Sequence, residues 1–247
     1  MNATAPKTVV LTGASRGIGH VTVGYFAARG WRGVCCSREA PPPSCPRDPA
    51  QGIHIAADLS KPDDVELFIK QANEVLGDDP LHALVNNAGV SPKTPYKERL
   101  GCLNGDIEAW RDVFELNFFT PLTLSRGFAA ALHRGKGAIC NITSIAGHYV
   151  HPFAGSAYST SKAALSGLTR EMAVEFAELG VRVNAVAPGE IKTAMISPEY
   201  EALVPRIPMN RMGTPEDVAA AVHYLVGEDS SYVTGTEIFV TGGQHLY

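Results

Sequence analysis

The sequence is short of the features that mark several protein classes. Its 247 residues include five cysteines, Cys35, Cys36, Cys45, Cys102 and Cys140. The number is odd and no Cys-x-x-Cys or Cys/His ligand spacing occurs, so neither a disulfide framework nor a metal site is expected. Cys35, Cys36 and Cys140 stand in apolar segments and read as small buried hydrophobes. No apolar run approaches the roughly 20 residues of a membrane helix, so no membrane association is expected. The first residues, Met1–Pro6, lack a basic region followed by an apolar core, and no signal peptide is expected. Charge is sparse as well: 19% of residues are charged, with a formal net charge of −4. That balance argues against a nucleic-acid partner, and 45% hydrophobic residues exclude a disordered chain. A globular, cytoplasmic protein is the expectation.

The scarcity of charge is uneven. From Gly137 to Ser161 there is no Asp, Glu, Lys or Arg, and Lys162 ends the stretch. The segment is too polar for a membrane span, with Asn141, Thr143, Ser144, Ser156 and Ser159 among its residues. It suits a strand that enters an enclosed, uncharged pocket.

Short apolar runs alternate with helical patterns along the chain. Strands are expected at Thr8–Leu11, Val34–Cys36, Ile53–Ala57, Leu81–Val85, Ala138–Ile142, Val181–Val186 and Glu237–Val240. Helices are expected from Gly17 to Arg29, Pro62 to Leu76, Asp106 to Leu132, Tyr158 to Leu179 and Pro215 to Val226. Continuous apolar strands between helices predict an α/β protein, with a parallel sheet covered on both faces. The proline-rich stretch Pro41–Pro49 is short and reads as a stiff loop between two strands. No repeat or interdomain linker is found, so residues 1–247 are read as one domain.

The turn Thr12-Gly13-Ala14-Ser15-Arg16-Gly17-Ile18-Gly19 follows the first strand and opens the first helix. Glycines there permit a tight turn and let the backbone approach a pyrophosphate at the helix N-terminus. Tyr158 and Lys162, four apart on a predicted helix, project from one face. A nearby ammonium favours the phenolate and makes tyrosine usable as a general acid/base. His148 and His151 lack a third ligand at metal spacing, so they are assigned to the pocket lining or the surface.

With these features the chain resembles the short-chain dehydrogenase/reductase family over almost its whole length. The resemblance rests on Gly13-xxx-Gly17-x-Gly19, Asn86-Asn87-Ala88-Gly89, Asn117 in the long helix and Ser144 after the fifth strand. It rests also on Tyr158-Ser159-Thr160-Ser161-Lys162 and on Pro188-Gly189-Glu190-Ile191-Lys192-Thr193. It implies a Rossmann-type doubly wound parallel sheet of about seven strands, with helices on both faces. It implies an oxidoreductase that moves a hydride between a nicotinamide dinucleotide and a small-molecule carbonyl or secondary alcohol. Tyr158 would then carry the proton, and Lys162 would bind the nicotinamide ribose and lower the Tyr158 pKa. Ser144 would hold the substrate oxygen, while Asn117 would hold a helix irregularity and a water linking Lys162 to solvent. The cofactor would be held by Gly13, Ser15, Arg16, Gly17, Ile18 and Gly19, by Asn87, Ala88 and Gly89, and by Pro188, Gly189, Ile191 and Thr193. Asp58 and Leu59 match the family position bordering the adenine. One departure is visible: Ser144 and Tyr158 are 14 apart, one more than in close relatives, and the extra residue falls within Gly147–Phe153.

At the end of the second strand, where NAD enzymes usually carry an acid, stand Ser37 and then Arg38. With Arg16 in the glycine turn they suit the 2′-phosphate of NADP(H), which is favoured. Glu39 restores NAD(H) if the strand runs two residues longer. Residues 193–213 are expected to form a lid containing Met195, Ile196, Tyr200, Leu203, Val204, Ile207 and Met209, with Arg206 and Arg211. A homo-oligomer, dimer or tetramer, follows from the resemblance alone. The leading reading is an NADP-dependent carbonyl reductase or alcohol dehydrogenase. The alternatives are an NAD-dependent sugar or polyol dehydrogenase and, less favoured, a non-catalytic dinucleotide sensor or an epimerase relative.

Overall fold

The computed structural model describes residues 6–39, 52–193 and 198–246. The proline-rich stretch 41–49 with Cys45, and Met195 and Ile196 of the expected lid, lie outside the described residues. Seven parallel strands form one sheet in the order β3-β2-β1-β4-β5-β6-β7. They are β1 (Thr8–Thr12), β2 (Arg32–Ser37), β3 (Gly52–Ala56), β4 (Ala83–Asn86), β5 (Ala138–Ile142), β6 (Arg182–Pro188) and β7 (Glu237–Val240). The chain runs outward from β1 to β3 and returns to place β4 on the other side of β1. That reversal is the topological switch point, where α/β sheets open a crevice at their carboxyl ends.

Alternation along β1 and β4 divides the core. Val10 and Leu84 face one layer with Phe68, Leu124, Phe128, Leu132, Met172 and Phe176. Those residues belong to α2 (Pro62–Leu76), α4 (Thr120–Gly127), α5 (Ala129–Gly135) and α6 (Ser156–Ala177), with Phe128 joining α4 and α5. Val9, Leu11 and Val85 face the other layer, with Phe26, Trp31, Val222 and Leu225. That layer is closed by α1 (Gly17–Ala27) and α7 (Pro215–Val226). Local signals set the helix ends. Pro62 and two acids open α2, and Thr214 and Asp217 form a reciprocal capping box on α7.

The single helix expected from Asp106 to Leu132 is not continuous. It divides into α3 (Ile107–Phe114), a π turn over Glu115–Phe119, then α4 and α5. Apolar periodicity does not reveal the π turn, because Asn117 at its centre forms its bonds outside the helix. The other differences are shifts of element ends, such as β4 beginning at Ala83 rather than Leu81. Cys35, Cys36 and Cys140 are buried, and Cys102 is exposed. No described helix is long and apolar enough to cross a membrane. Among the described residues no cluster of His, Cys, Asp or Glu could hold a metal ion.

Candidate active site

The carboxyl ends of β1, β4, β5 and β6 bring the sequence-selected residues to one crevice. On its first side the turn after β1 is bound to the turn after β4. Thr12 Oγ1 accepts from the backbone N–H groups of Asn87 and Ala88, at 3.1 and 3.0 Å. Asn87 Nδ2 donates back to the carbonyls of Thr12 and Gly13, at 2.9 and 3.2 Å. Gly13 has φ +71°, and a Cβ there would sit 2.7 Å from Asn87 Nδ2. A Cβ on Gly19 would collide with the Gly13 carbonyl oxygen and Asn87 Nδ2. The two turns thus approach as closely as glycine allows, with the N-terminus of α1 and Ser15 and Arg16 at their edge. Thr193 faces Gly17 across the crevice, 3.6 Å from the place its Cβ would occupy. Ile18 packs against the core and Ile191 is buried.

Strand β2 ends at Ser37, paired with Ala56, so Glu39 lies beyond the strand. The Ser37 hydroxyl donates to the Glu39 carbonyl at 2.7 Å and lies 2.7 Å from His54 Nε2. Its hydrogen bonds are therefore committed within the protein, while Arg38 and Glu39 are exposed. Asp58 accepts from Ser60, whose hydroxyl lies 2.8 Å away and chiefly holds the Asp58 carboxyl below its usual range; Arg38 and Lys61 add to the effect. Leu59 is buried, and its carbonyl accepts from Thr120 Oγ1 at 2.8 Å.

The reacting groups stand opposite. Ser144 caps the short helical turn Ile145–Gly147, its Oγ accepting from Ala146 N at 3.1 Å, and it shares a hydrogen bond with the Tyr158 hydroxyl. The 14-residue spacing therefore leaves the pair in register. Gly147 makes this possible: a Cβ there would lie 2.8 Å from the Ala163 amide nitrogen on α6. Lys162 is 3% exposed, and its Nζ donates to the Ile142 carbonyl at 2.7 Å. Asn117, fully buried in the π turn, accepts from Val90 N at 2.9 Å and donates to Val90 O and Ser161 Oγ, both at 3.0 Å. Gly89 lies between them; a Cβ there would be 3.2 Å from Asn117 Oδ1 and 3.3 Å from Lys162 Nζ.

Burial governs the electrostatics of this group. It pushes Lys162 down to about 8. It also raises the Tyr158 hydroxyl above its ordinary value; the bond to Ser144 opposes the rise and the Glu190 charge adds to it. Lys162, whose Nζ is 5.9 Å from the Tyr158 ring centre, does not outweigh burial among the protein's own groups. The direction is opposite to the lowering by Lys162 that the family resemblance implies for Tyr158.

A cavity of about 600 Å³ opens at Ile145, the residue after Ser144, and is lined also by Val150, His151, Leu203, Arg206 and Gln244 among others. Leu203 and Arg206 come from the short helical segment Pro198–Arg206, inside the expected lid. His151 Nε2 is 2.6 Å from Glu190 Oε1, and both side chains are buried. His148 instead pairs with Glu237 at 2.8 Å and packs on Phe239. Thr12, Glu190 and Gln244 were not selected from the sequence. Glu190 carried a signal, an acid directly after an apolar strand and its Pro-Gly turn; Thr12 and Gln244 carried none.

The chain is similar to known proteins over almost its whole length. A family model described as enoyl-(acyl carrier protein) reductase matches residues 13–245. Protein FixR of Bradyrhizobium diazoefficiens is 49% identical over 98% of this chain and 87% of its own. Galactitol 2-dehydrogenase (L-tagatose-forming) of Cereibacter sphaeroides is 38% identical, covering 96% of this chain and 94% of that one. Among solved structures, a short-chain dehydrogenase/reductase family oxidoreductase of Brucella ovis, in complex with a partially ordered NAD, superposes with a TM-score of 0.81. It is 46% identical over 96% of this chain and 100% of its own.

Proposed function

The chain belongs to the short-chain dehydrogenase/reductase family, and on that premise we propose that it is an NADP(H)-dependent oxidoreductase acting on a carbonyl or secondary alcohol. The observation that carries this reading is the convergence of Ser144, Tyr158, Lys162 and Asn117 beside a cavity and across from the glycine turn. The crevice fits a dinucleotide. Its walls are backbone and small side chains where a Cβ at Gly13, Gly19 or Gly89 would intrude, and a buried ammonium borders it. Gly13, Ser15, Arg16, Gly17, Ile18 and Gly19 would hold the pyrophosphate side. Asp58 and Leu59 would border the adenine. Asn87, Ala88, Gly89, Pro188, Gly189, Ile191, Thr193 and Lys162 would hold the nicotinamide side.

When bound, the nicotinamide supplies or takes up the hydride. Ser144 orients the substrate oxygen against the Tyr158 hydroxyl. In reduction Tyr158 gives its proton to that oxygen; in oxidation it removes the proton. Burial keeps Tyr158 protonated at neutral pH, which suits the acid role and carbonyl reduction. Oxidation needs the phenolate, so its rate should rise with pH toward the Tyr158 value. Asn117 holds the π turn open around Val90 and Ser161, and so positions the floor beneath Lys162. Residues 193–213 would cover the substrate.

The preference for NADP(H) rests on Arg38 and Arg16 and on the lack of an acid at the end of β2. A second reading, an NAD-linked sugar or polyol dehydrogenase, is favoured by the galactitol 2-dehydrogenase relative and by the NAD in the Brucella ovis structure. A panel of carbonyls and alcohols assayed with both cofactors tests the two. Turnover should appear in the native enzyme, disappear in Tyr158→Phe and leave cofactor binding near normal. Turnover retained by Tyr158→Phe removes the tyrosine from the reaction.

A further inference from the structure

Glu237 stands at the start of β7, beside Ala185 of β6, and its side chain is 13% exposed. It is the one acid in an otherwise apolar strand, Glu-Ile-Phe-Val. Burying a carboxylate is costly unless its hydrogen bonds are made. Three donors make them. The Thr143 hydroxyl donates to Oε1, and the Ser166 hydroxyl donates to Oε2 at 2.6 Å. His148 Nε2 reaches Oε2 as well, at 2.8 Å, with its ring edge-on to Phe239.

The places of these donors matter more than their number. Thr143 directly precedes Ser144, and His148 directly follows the turn Ile145–Gly147 that Ser144 caps. One carboxylate therefore holds both ends of the turn that carries the Ser144 hydroxyl. Ser166 lies on α6, about one helical turn beyond Lys162 and two beyond Tyr158. The same carboxylate thus ties the Ser144 turn to the helix that carries the other reacting groups. The two ends of the turn are not equally secured. At Thr143 the backbone N–H and the hydroxyl also reach the Val186 carbonyl of β6. At the other end the N–H groups of His148 and Tyr149 bond back to Ile145, inside the turn itself. The chain then runs out through Tyr149 and Val150, both exposed. There Glu237 and the Phe239 ring tie the turn to the sheet.

Resting on the oxidoreductase reading above, we infer that Glu237 is a positioning residue for the reaction. Acting through Thr143, His148 and Ser166, its carboxylate keeps the Ser144 hydroxyl in place against the Tyr158 hydroxyl. A misplacement of about 1 Å at reacting groups can cost about 100-fold in rate. Loss of the carboxylate should therefore appear in kcat, and hardly in the binding of the cofactor on the opposite side of the crevice.

The test uses each carbonyl and alcohol that the native enzyme turns over. Glu237→Gln keeps the length of the side chain but replaces one acceptor oxygen by a donor. Its kcat should fall about tenfold or more, with NADPH and NADH dissociation constants and melting temperature near native. In a Ser144→Ala background the same substitution should cost almost nothing further, because the hydroxyl it positions is gone. A merely structural role predicts the same proportional loss in both backgrounds, and that result overturns the inference. His148→Gln keeps a donor for the carboxylate and should retain most of the rate that His148→Ala loses. Equal rates in these two variants also overturn the inference. Should Glu237→Gln fail to fold, or Ser144→Ala show no measurable rate, the His148 pair decides alone. Native turnover with kcat unchanged in Glu237→Gln rejects the positioning role and keeps the oxidoreductase reading. No native turnover with either cofactor rejects both.

Discussion

The two sides of the crevice are built differently. The side given by β1, β4 and their turns is held by two side chains bonded to main-chain groups, and its surface is largely backbone. Thr12 and Asn87 join the two turns with four hydrogen bonds to main-chain atoms, and Gly13 and Gly19 remove every atom that would keep them apart. The side that forms the cavity is held by side chains. His151, Glu190 and Gln244 meet there from positions up to 93 residues apart by their numbering. A backbone-built surface can accept one invariant ligand with little dependence on side-chain choice. A surface built from side chains can be altered one residue at a time, and there specificity can change while the scaffold stays fixed.

The sharpest way to break this comparison is to add one carbon to the backbone-built side. Gly19→Ala should cost more than about 3 kcal/mol or prevent folding, because its Cβ meets the Gly13 carbonyl, which cannot move without the whole turn. Gly24, in the same helix, has open space around its Cα; Gly24→Ala should stabilise by about 0.5–1 kcal/mol. Urea melts of the two variants check both signs. Next in size is Lys162→Met. Burial pushes Lys162 from its ordinary value to about 8, a charged-state penalty of about 3 kcal/mol. That penalty is complete below about pH 8, where the amine is charged folded and unfolded, and fades as pH rises toward the ordinary lysine value. Lys162→Met should therefore abolish turnover yet raise the melting temperature at pH 7, with the gain shrinking toward pH 10. Smallest is Arg38→Ala. It should weaken NADPH binding roughly tenfold and leave NADH nearly unchanged, as one exposed charge-assisted contact would. Equal losses in a fluorescence titration would remove Arg38 from the choice of cofactor.

The same contrast explains what the sequence made legible. The glycine turn, the Asn-Asn-Ala-Gly element and the Pro-Gly turn are short because each serves a local backbone need, and each stands at a strand end as expected. Tyr158 and Lys162 share a helix, so their spacing alone put them on one face. Cys35, Cys36 and Cys140, read as small hydrophobes, are indeed buried. The Glu190 cluster escaped notice because its members join only through the tertiary fold. Ser37 looked available at a strand end, yet its hydroxyl is committed to the Glu39 carbonyl and to His54, the second a contact that only the pairing of β2 with β3 reveals. The unbroken helix from Asp106 to Leu132 failed for a related reason. Apolar spacing cannot register one wide turn whose central asparagine bonds outward to Val90.

That wide turn also changes the phase of the helix that contains it. Each residue of an α-helix advances about 100°, and a π turn takes in about one residue more than a regular turn. Everything after Phe119 is therefore rotated relative to α3. Val113, before the turn, packs with Ala157 of α6, while Leu124, after it, enters the layer of Phe68 on α2. The segment from α3 to α4 thus presents apolar faces to two different neighbours. The residue that unwinds it, Asn117, is also the one that reaches the site, so the helix's division of labour and the placement of Lys162 share a single point of adjustment.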